Sequence, residues 1–151
     1  LVGHTFLKSS MFLQMASIGK RYGTYNVSRI GGYMQANPAG SALLLVSMVL
    51  LLGFPPSPLF VSEIMIFKQM IVSGGWWMLA IFILMICAVV YNMGRQIIKM
   101  CFKPARGEVQ AGRINTGLFV TMLLLVVLAV VLGLWQPEWL VRWLNSMVLV
   151  L

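Results

Sequence analysis

Acid is the scarcest thing in this sequence. Of 151 residues three are glutamate and none is aspartate, against eleven lysines and arginines, so the formal charge is +8 although only 9% of residues are charged. With 60% hydrophobic residues and a mean hydropathy of +0.93, that shortage excludes an ordinary soluble domain, which carries far more charge. Cysteine is nearly absent too. Cys87 falls inside an apolar run and Cys101 beside a basic stretch, so neither a disulfide framework nor a metal-binding spacing exists. There is no phosphate-cradling glycine loop, no His-Glu-x-x-His pair and no nucleophile elbow, so nothing reads as conventional catalysis. Nothing in the chain is equipped to hold a flavin, haem, iron–sulfur cluster or metal by itself. The opening residues also lack the basic, apolar, small-residue order of a signal peptide.

What is present is apolar length. A hydrocarbon core of about 30 Å needs roughly 20 apolar residues per helix, and four segments qualify as spans: approximately 1–18, 41–71, 76–94 and 116–135. Open sheet edges do not survive in lipid, and these runs do not alternate as barrel strands do. The expected fold is therefore all-α, a polytopic membrane helix bundle of about four transmembrane helices over residues 1–135. Leu1–Ile18 is membrane-like from its first residue, so the chain reads as the C-terminal part of a larger polytopic protein, cut inside a helix.

The basic residues fall between the spans. Lys20, Arg21 and Arg29 mark a loop at 19–40; Arg95, Lys99, Lys103, Arg106 and Arg113 mark another at 95–115. With four spans both loops lie on one side, which the positive-inside rule assigns to the cytoplasm. A nucleic-acid surface is not indicated, because the charge follows the loops. Trp76-Trp77 reads as an interfacial anchor. Residues 136–151, with Arg142 between Trp139 and Trp143, read as an interfacial amphipathic segment, although its apolar end would also suit a return into lipid.

The 41–71 run is too long for one straight span, and it carries its own interruption: Gly53-Phe54-Pro55-Pro56-Ser57-Pro58-Leu59-Phe60-Val61-Ser62-Glu63. Each proline removes a backbone donor, clashes with the preceding turn and pushes its predecessor out of the helical region. The second helix is thus expected to break at Pro55–Pro58, with Gly53, Pro55, Pro56 and Pro58 forming the break. Just beyond stands Glu63. An ionised carboxylate removed from water either finds a partner or takes a proton, and a broken apolar helix carrying a buried acid is a pointer to an ion site. The structural alternative is that Glu63 caps the second half-helix.

Three more groups stand at membrane depth. His4 and Lys8 are spaced i, i+4 and share a helix face. Lys8 lies roughly 15 Å along the axis from the Gly19 end, far for its side chain to reach the interface, and histidine titrates near neutral pH. Ser9, Ser10, Gln14 and Ser17 add polar groups able to hold water. Lys68 follows Glu63 by five residues, suited either to snorkelling outward or to the exit of a proton path.

These residues carry a resemblance. His4-Thr5-Phe6-Leu7-Lys8-Ser9-Ser10-Met11-Phe12-Leu13 resembles the His-x-x-x-Lys helix of the antiporter-like subunits of respiratory complex I. Arg29-Ile30-Gly31-Gly32 resembles the loop that follows it, and residues 53–63 are similar to the second discontinuous helix of those subunits. The same subunits occur in membrane-bound nickel–iron hydrogenases, including formate hydrogenlyase-type complexes, and in multisubunit Na+/H+ antiporters. The double proline and Ser-Pro look closest to component F of the hydrogenase-4 branch. The match covers roughly residues 1–105.

The resemblance implies that Glu63 occupies the position ending a half-channel, Lys8 that of the central-axis lysine, and His4 that of a connecting histidine. It also implies a second, inverted repeat that this sequence lacks, so the chain alone should not make a complete channel. The expected role is a proton-translocating membrane subunit of a redox-driven complex in a bacterial or archaeal membrane. Protons would be relayed by Glu63, Lys8, His4 and Lys68, and the redox cofactors would sit in partner subunits. Expected partners are the bilayer, further membrane subunits and a peripheral redox arm. Membership of a multisubunit Na+/H+ antiporter is the alternative, and a structural membrane anchor the second.

Overall fold

The computed structural model describes residues 2–104 and 115–135. Six helices run through it: α1 (Val2–Tyr22), α2 (Tyr33–Ala36), α3 (Pro38–Leu51), α4 (Pro58–Val72), α5 (Trp76–Phe102) and α6 (Thr116–Leu134). Among the described residues there is no strand, so the fold is all-α. A short 3-10 turn, Val27–Arg29, precedes α2.

α1 and α3 each contribute to two cores, and α3 does so because it is apolar on two faces. Leu43 and Leu50 join Leu7 of α1 and Met122, Val126 and Ala129 of α6 in one core. Leu44 and Met48 turn the other way, into a second core with Met11 and Ile18 of α1, Tyr33 of α2, and Ile97, Met100 and Cys101 of α5. Dispersion contacts of this kind hold helices together in lipid, where burial from water contributes little. α3 starts on a true cap: Asn37 Oδ1 accepts from Gly40 N at 3.0 Å and Pro38 occupies the first turn.

α4 and α5 form a hairpin that joins the cores only at its ends, through Leu59 of α4 and the last turns of α5. α4 has no buried residue, and on α5 only Ile97, Met100 and Cys101 are buried. The two meet through an edge-to-face contact of Phe67 with Phe82, centroids 5.4 Å apart. Trp76 and Trp77 are exposed at the start of α5, as interfacial anchors are. α5 and α6 are each long and apolar enough to cross a membrane. α3 and α4, at 14 and 15 residues, span only about 21–23 Å each; neither crosses alone, as expected of a divided span.

Two features depart from the sequence reading. α5 continues to Phe102, so Arg95 and Lys99 lie on its last turns and not in a loop. Apolar character stops near Met93, but nothing stops the helix before Pro104. The segment after α1 is also no slack loop: α1 itself runs to Tyr22, and Ile30 and Tyr33 are buried in the second core. Tyr22 Oη donates to the Gly31 carbonyl at 2.9 Å, and Gly31 lies so close to the Lys103 and Pro104 carbonyls that a β-carbon would crowd them. The two basic stretches therefore adjoin at one end of the bundle. Arg106, Arg113 and residues 136–151 lie outside the described residues.

Candidate functional site

The break between α3 and α4 is a compact turn whose backbone donors are satisfied internally. Leu52 N donates to Met48 O (2.9 Å), Gly53 N to Leu50 O (3.3 Å), Phe54 N to Val49 O (3.2 Å) and Ser57 N to Phe54 O (3.0 Å). Irregular backbone at membrane depth requires this, since lipid offers no partner. Gly53 takes φ +79°, a left-handed conformation, which ends the helix at little cost only for glycine.

Ser57, not Glu63, caps α4. Its Oγ accepts from Leu59 N at 3.1 Å, and Pro58 fills the first helical position. Glu63 is the sixth residue of α4, about 7.5 Å along the axis from its start and past the turn where free backbone donors lie. Side chains on a helix lean toward its N-terminus, so the carboxylate reaches back over the break. There it rests on Gly53: a β-carbon at that position would collide with both carboxylate oxygens.

Two further glycines frame the break. Gly3 of α1 lies against the Pro58 ring, and Gly133 of α6 against the backbone of Pro56–Pro58. α1 and α6 thereby clamp the turn from two sides, and His4, next to Gly3, is brought to the same end of the bundle. His4 is half-buried, whereas Lys8, one turn on, is exposed. Lys68 is also exposed and, five residues beyond Glu63, points about 140° away from it around the helix. The structure thus gathers Glu63, Gly53, Pro56, Pro58 and the start of α1 at one place, and leaves both lysines outside it.

On its other side Glu63 lines a cavity of about 200 Å3 between α3 and α5. The rest of the wall is apolar: Leu51 and Leu52 at the end of α3, and side chains of α5 from Phe82 to Val90. No cation among the described residues acts on the carboxylate. The described residues also contain no cluster of His, Cys, Asp or Glu able to hold a metal.

The polar groups of α1 pointed inward are elsewhere. Ser10 and Gln14 are buried against Ser47 of α3 and the Met122 carbonyl of α6. The sequence flagged Ser10 and Gln14 as polar, but their meeting with Ser47, thirty-three residues from Gln14, left no trace in periodicity. The glycine contacts of residues 3 and 133 were equally silent.

A bundle of apolar helices with one divided span and an acid at the division is the build of an integral membrane protein. The chain belongs to the family described as NADH:quinone oxidoreductase/Mrp antiporter, transmembrane, whose model matches residues 1–90. Among curated relatives it is 28% identical over 148 residues to a Na(+)/H(+) antiporter subunit of Bacillus subtilis, covering 86% of this chain and 18% of that protein. It is 24% identical over 146 residues to the N subunit of the F(420)H(2) dehydrogenase of Methanosarcina mazei, covering 91% of this chain and 29% of the relative. The N subunit of the NADH-quinone oxidoreductase of Trichlorobacter lovleyi is 29% identical over 110 residues, covering 72% and 22%. The chain thus spans less than a third of each of these relatives.

Proposed function

We propose that this chain is part of a multi-pass, proton-translocating membrane subunit of a redox-driven complex of the dehydrogenase or hydrogenase type. Glu63 is its proton-exchanging group. The observation that carries this is the placement of the carboxylate: seated on Gly53 in a helix break, at the edge of a cavity, with no cation of the described residues beside it. An acid held so has a charge state set by whatever water or charge reaches it, which is the property a proton relay needs. His4 and Lys8 would hand protons on along one face of α1, and Lys68 would sit toward an exit. The adjoining basic stretches at residues 20–31 and 95–104 would face the cytoplasm, by the positive-inside rule. Further membrane subunits and a peripheral arm holding the redox cofactors would complete the assembly, in line with the names of the dehydrogenase relatives.

The test is Glu63→Gln in the intact complex reconstituted into vesicles. Proton pumping is expected to fall to background while electron transfer in the peripheral arm persists. Full pumping by that variant would reject the role. A second reading, membership of a Na+/H+ antiporter, draws on the Bacillus subtilis relative. It predicts sodium-driven pH changes in vesicles given no electron donor, whereas the first reading predicts none.

A further inference from the structure

The last turns of α5 carry their charge on one face. Arg95, Lys99 and Lys103 follow one another at four-residue steps, which keeps them within about 80° of arc and about 12 Å of axis. Arg95 and Lys99 are exposed and Lys103 is half-buried. Ile98 and Phe102 are exposed beside them, while Ile97, Met100 and Cys101 turn the other way into the core. Arg95 and Lys99 make no hydrogen bond or ion pair with any described residue. The Val27–Arg29 turn packs against α5 and brings a further exposed cation, Arg29, to this end. The sole acid among the described residues, Glu63, is not the counter-ion. Its cavity meets α5 between Phe82 and Val90, on a face centred about 130° round the helix from Arg95 and Lys99.

Depth follows from helix length. The exposed Trp77 precedes Arg95 by eighteen residues, about 27 Å along the axis, and a hydrocarbon core is about 30 Å thick. With the tryptophans at one interface, Arg95 falls at the edge of the other. Lys99, about 6 Å farther on, stands at the level of lipid phosphates. The face leading up to Arg95 consists of Leu84, Ala88 and Tyr91, all exposed and apolar apart from one phenol.

Cations without a counter-ion thus stand at phosphate depth, at the head of an apolar stripe. Free phosphate would leave that stripe unfilled. A zwitterionic headgroup brings its own ammonium, which these cations repel, whereas an anionic headgroup brings none. We propose that the outer face of α5 binds one anionic phospholipid, its phosphate between Arg95 and Lys99 and an acyl chain along Tyr91, Ala88 and Leu84. Lys103 and Arg29 flank the headgroup. This is a discrete site and not the averaged pull of a basic loop on a charged surface, because the helix fixes the two cations one turn apart.

The experiment places the intact complex in vesicles containing phosphatidylglycerol or phosphatidylethanolamine with the same photoreactive acyl chain, and maps the labelled residues by mass spectrometry. One basic side chain beside an anionic headgroup is worth about a fivefold change in binding. The phosphatidylglycerol probe should therefore label residues 84–102 at least about fivefold more than the other, and Arg95→Gln with Lys99→Gln should abolish the preference. A preference present in the wild type and lost in the double variant supports the site. Equal labelling by the two probes in the wild type overturns it, leaving ordinary boundary lipid. A preference that survives in the double variant overturns it, as does displacement of the label by soluble glycerol phosphate, which would need no acyl chain. Absence of label, with another polypeptide of the complex cross-linking to this face, overturns it as well. The wild-type comparison of the two probes decides the matter if the double variant fails to assemble.

Discussion

Replacing Gly53 with alanine loads the helix break in two separable ways. The first is backbone strain: at φ +79° a β-carbon meets the following carbonyl, a cost of about 1–2 kcal/mol. The second is a collision with the Glu63 carboxylate, which, as the far end of a flexible side chain, turns aside at about the 0.5–1.5 kcal/mol of an off-rotamer side chain. Gly74, in the turn between α4 and α5, isolates the first contribution. It has φ +71° but nothing within 4 Å of a β-carbon. Gly74→Ala should therefore destabilise by about 1–2 kcal/mol, and Gly53→Ala by about 0.5–1.5 kcal/mol more. The assay is thermal and denaturant melting of the intact purified complex, with each variant compared against wild type at matched detergent and lipid. A double-mutant cycle then assigns the excess. Truncating Glu63 to alanine removes the atoms in the way, so Gly53→Ala should cost less in that background, by the size of the excess. If Gly53→Ala is no worse than Gly74→Ala, or if the cycle is additive, the carboxylate does not rest where the structure places it.

Other perturbations give outcomes of opposite sign. Ser57→Ala removes the cap on α4 and should cost about 1 kcal/mol, with Ser57→Asn or Ser57→Thr recovering much of it in the same melting assay. Gly133→Ala drives a β-carbon into the Pro56 carbonyl and should cost about 1–3 kcal/mol. It should also lower proton transport in vesicles, because the atom that must yield belongs to the break itself. Gly94→Ala, where α5 has open space, should stabilise by about 0.8–1 kcal/mol from helix propensity alone; destabilisation there would mean that the helix does not run on past Met93.

The break was legible because proline acts through local sterics: three rings within four residues dictate an interruption whatever surrounds them. The course of α5 past Met93 was misjudged because hydropathy reports lipid exposure, while the helix is carried by backbone hydrogen bonds that Arg95 and Lys99 support as well as leucine does. The burial of Ile30 and Tyr33 was hidden by charged neighbours on a stretch that is exposed on one side only. The approach of Gly3 and Gly133 to the break, and of Ser47 to Gln14, is tertiary, and no spacing rule within one sequence reaches it.

The clamp on the break bears on how Glu63 could work. The turn is pinned by Gly3 and Gly133 on two helices, its donors are paired, and the carboxylate is seated on Gly53. The turn so held does not swing away, whereas the carboxylate accepts no hydrogen bond among the described residues and stands at the edge of the cavity. A change in its proton affinity can come from rotation of the side chain itself, from water or charge entering on the cavity side, or from motion of the wall opposite. That wall is α5, whose first two-thirds have no buried residue and which meets α4 mainly at the Phe67–Phe82 contact. The pinned turn and the sparsely buried wall of the site thus belong to different helices. Loosening the Phe67–Phe82 contact should alter transport with little effect on the packing of α1, α3 and α6, whereas loosening Gly133 should disturb both.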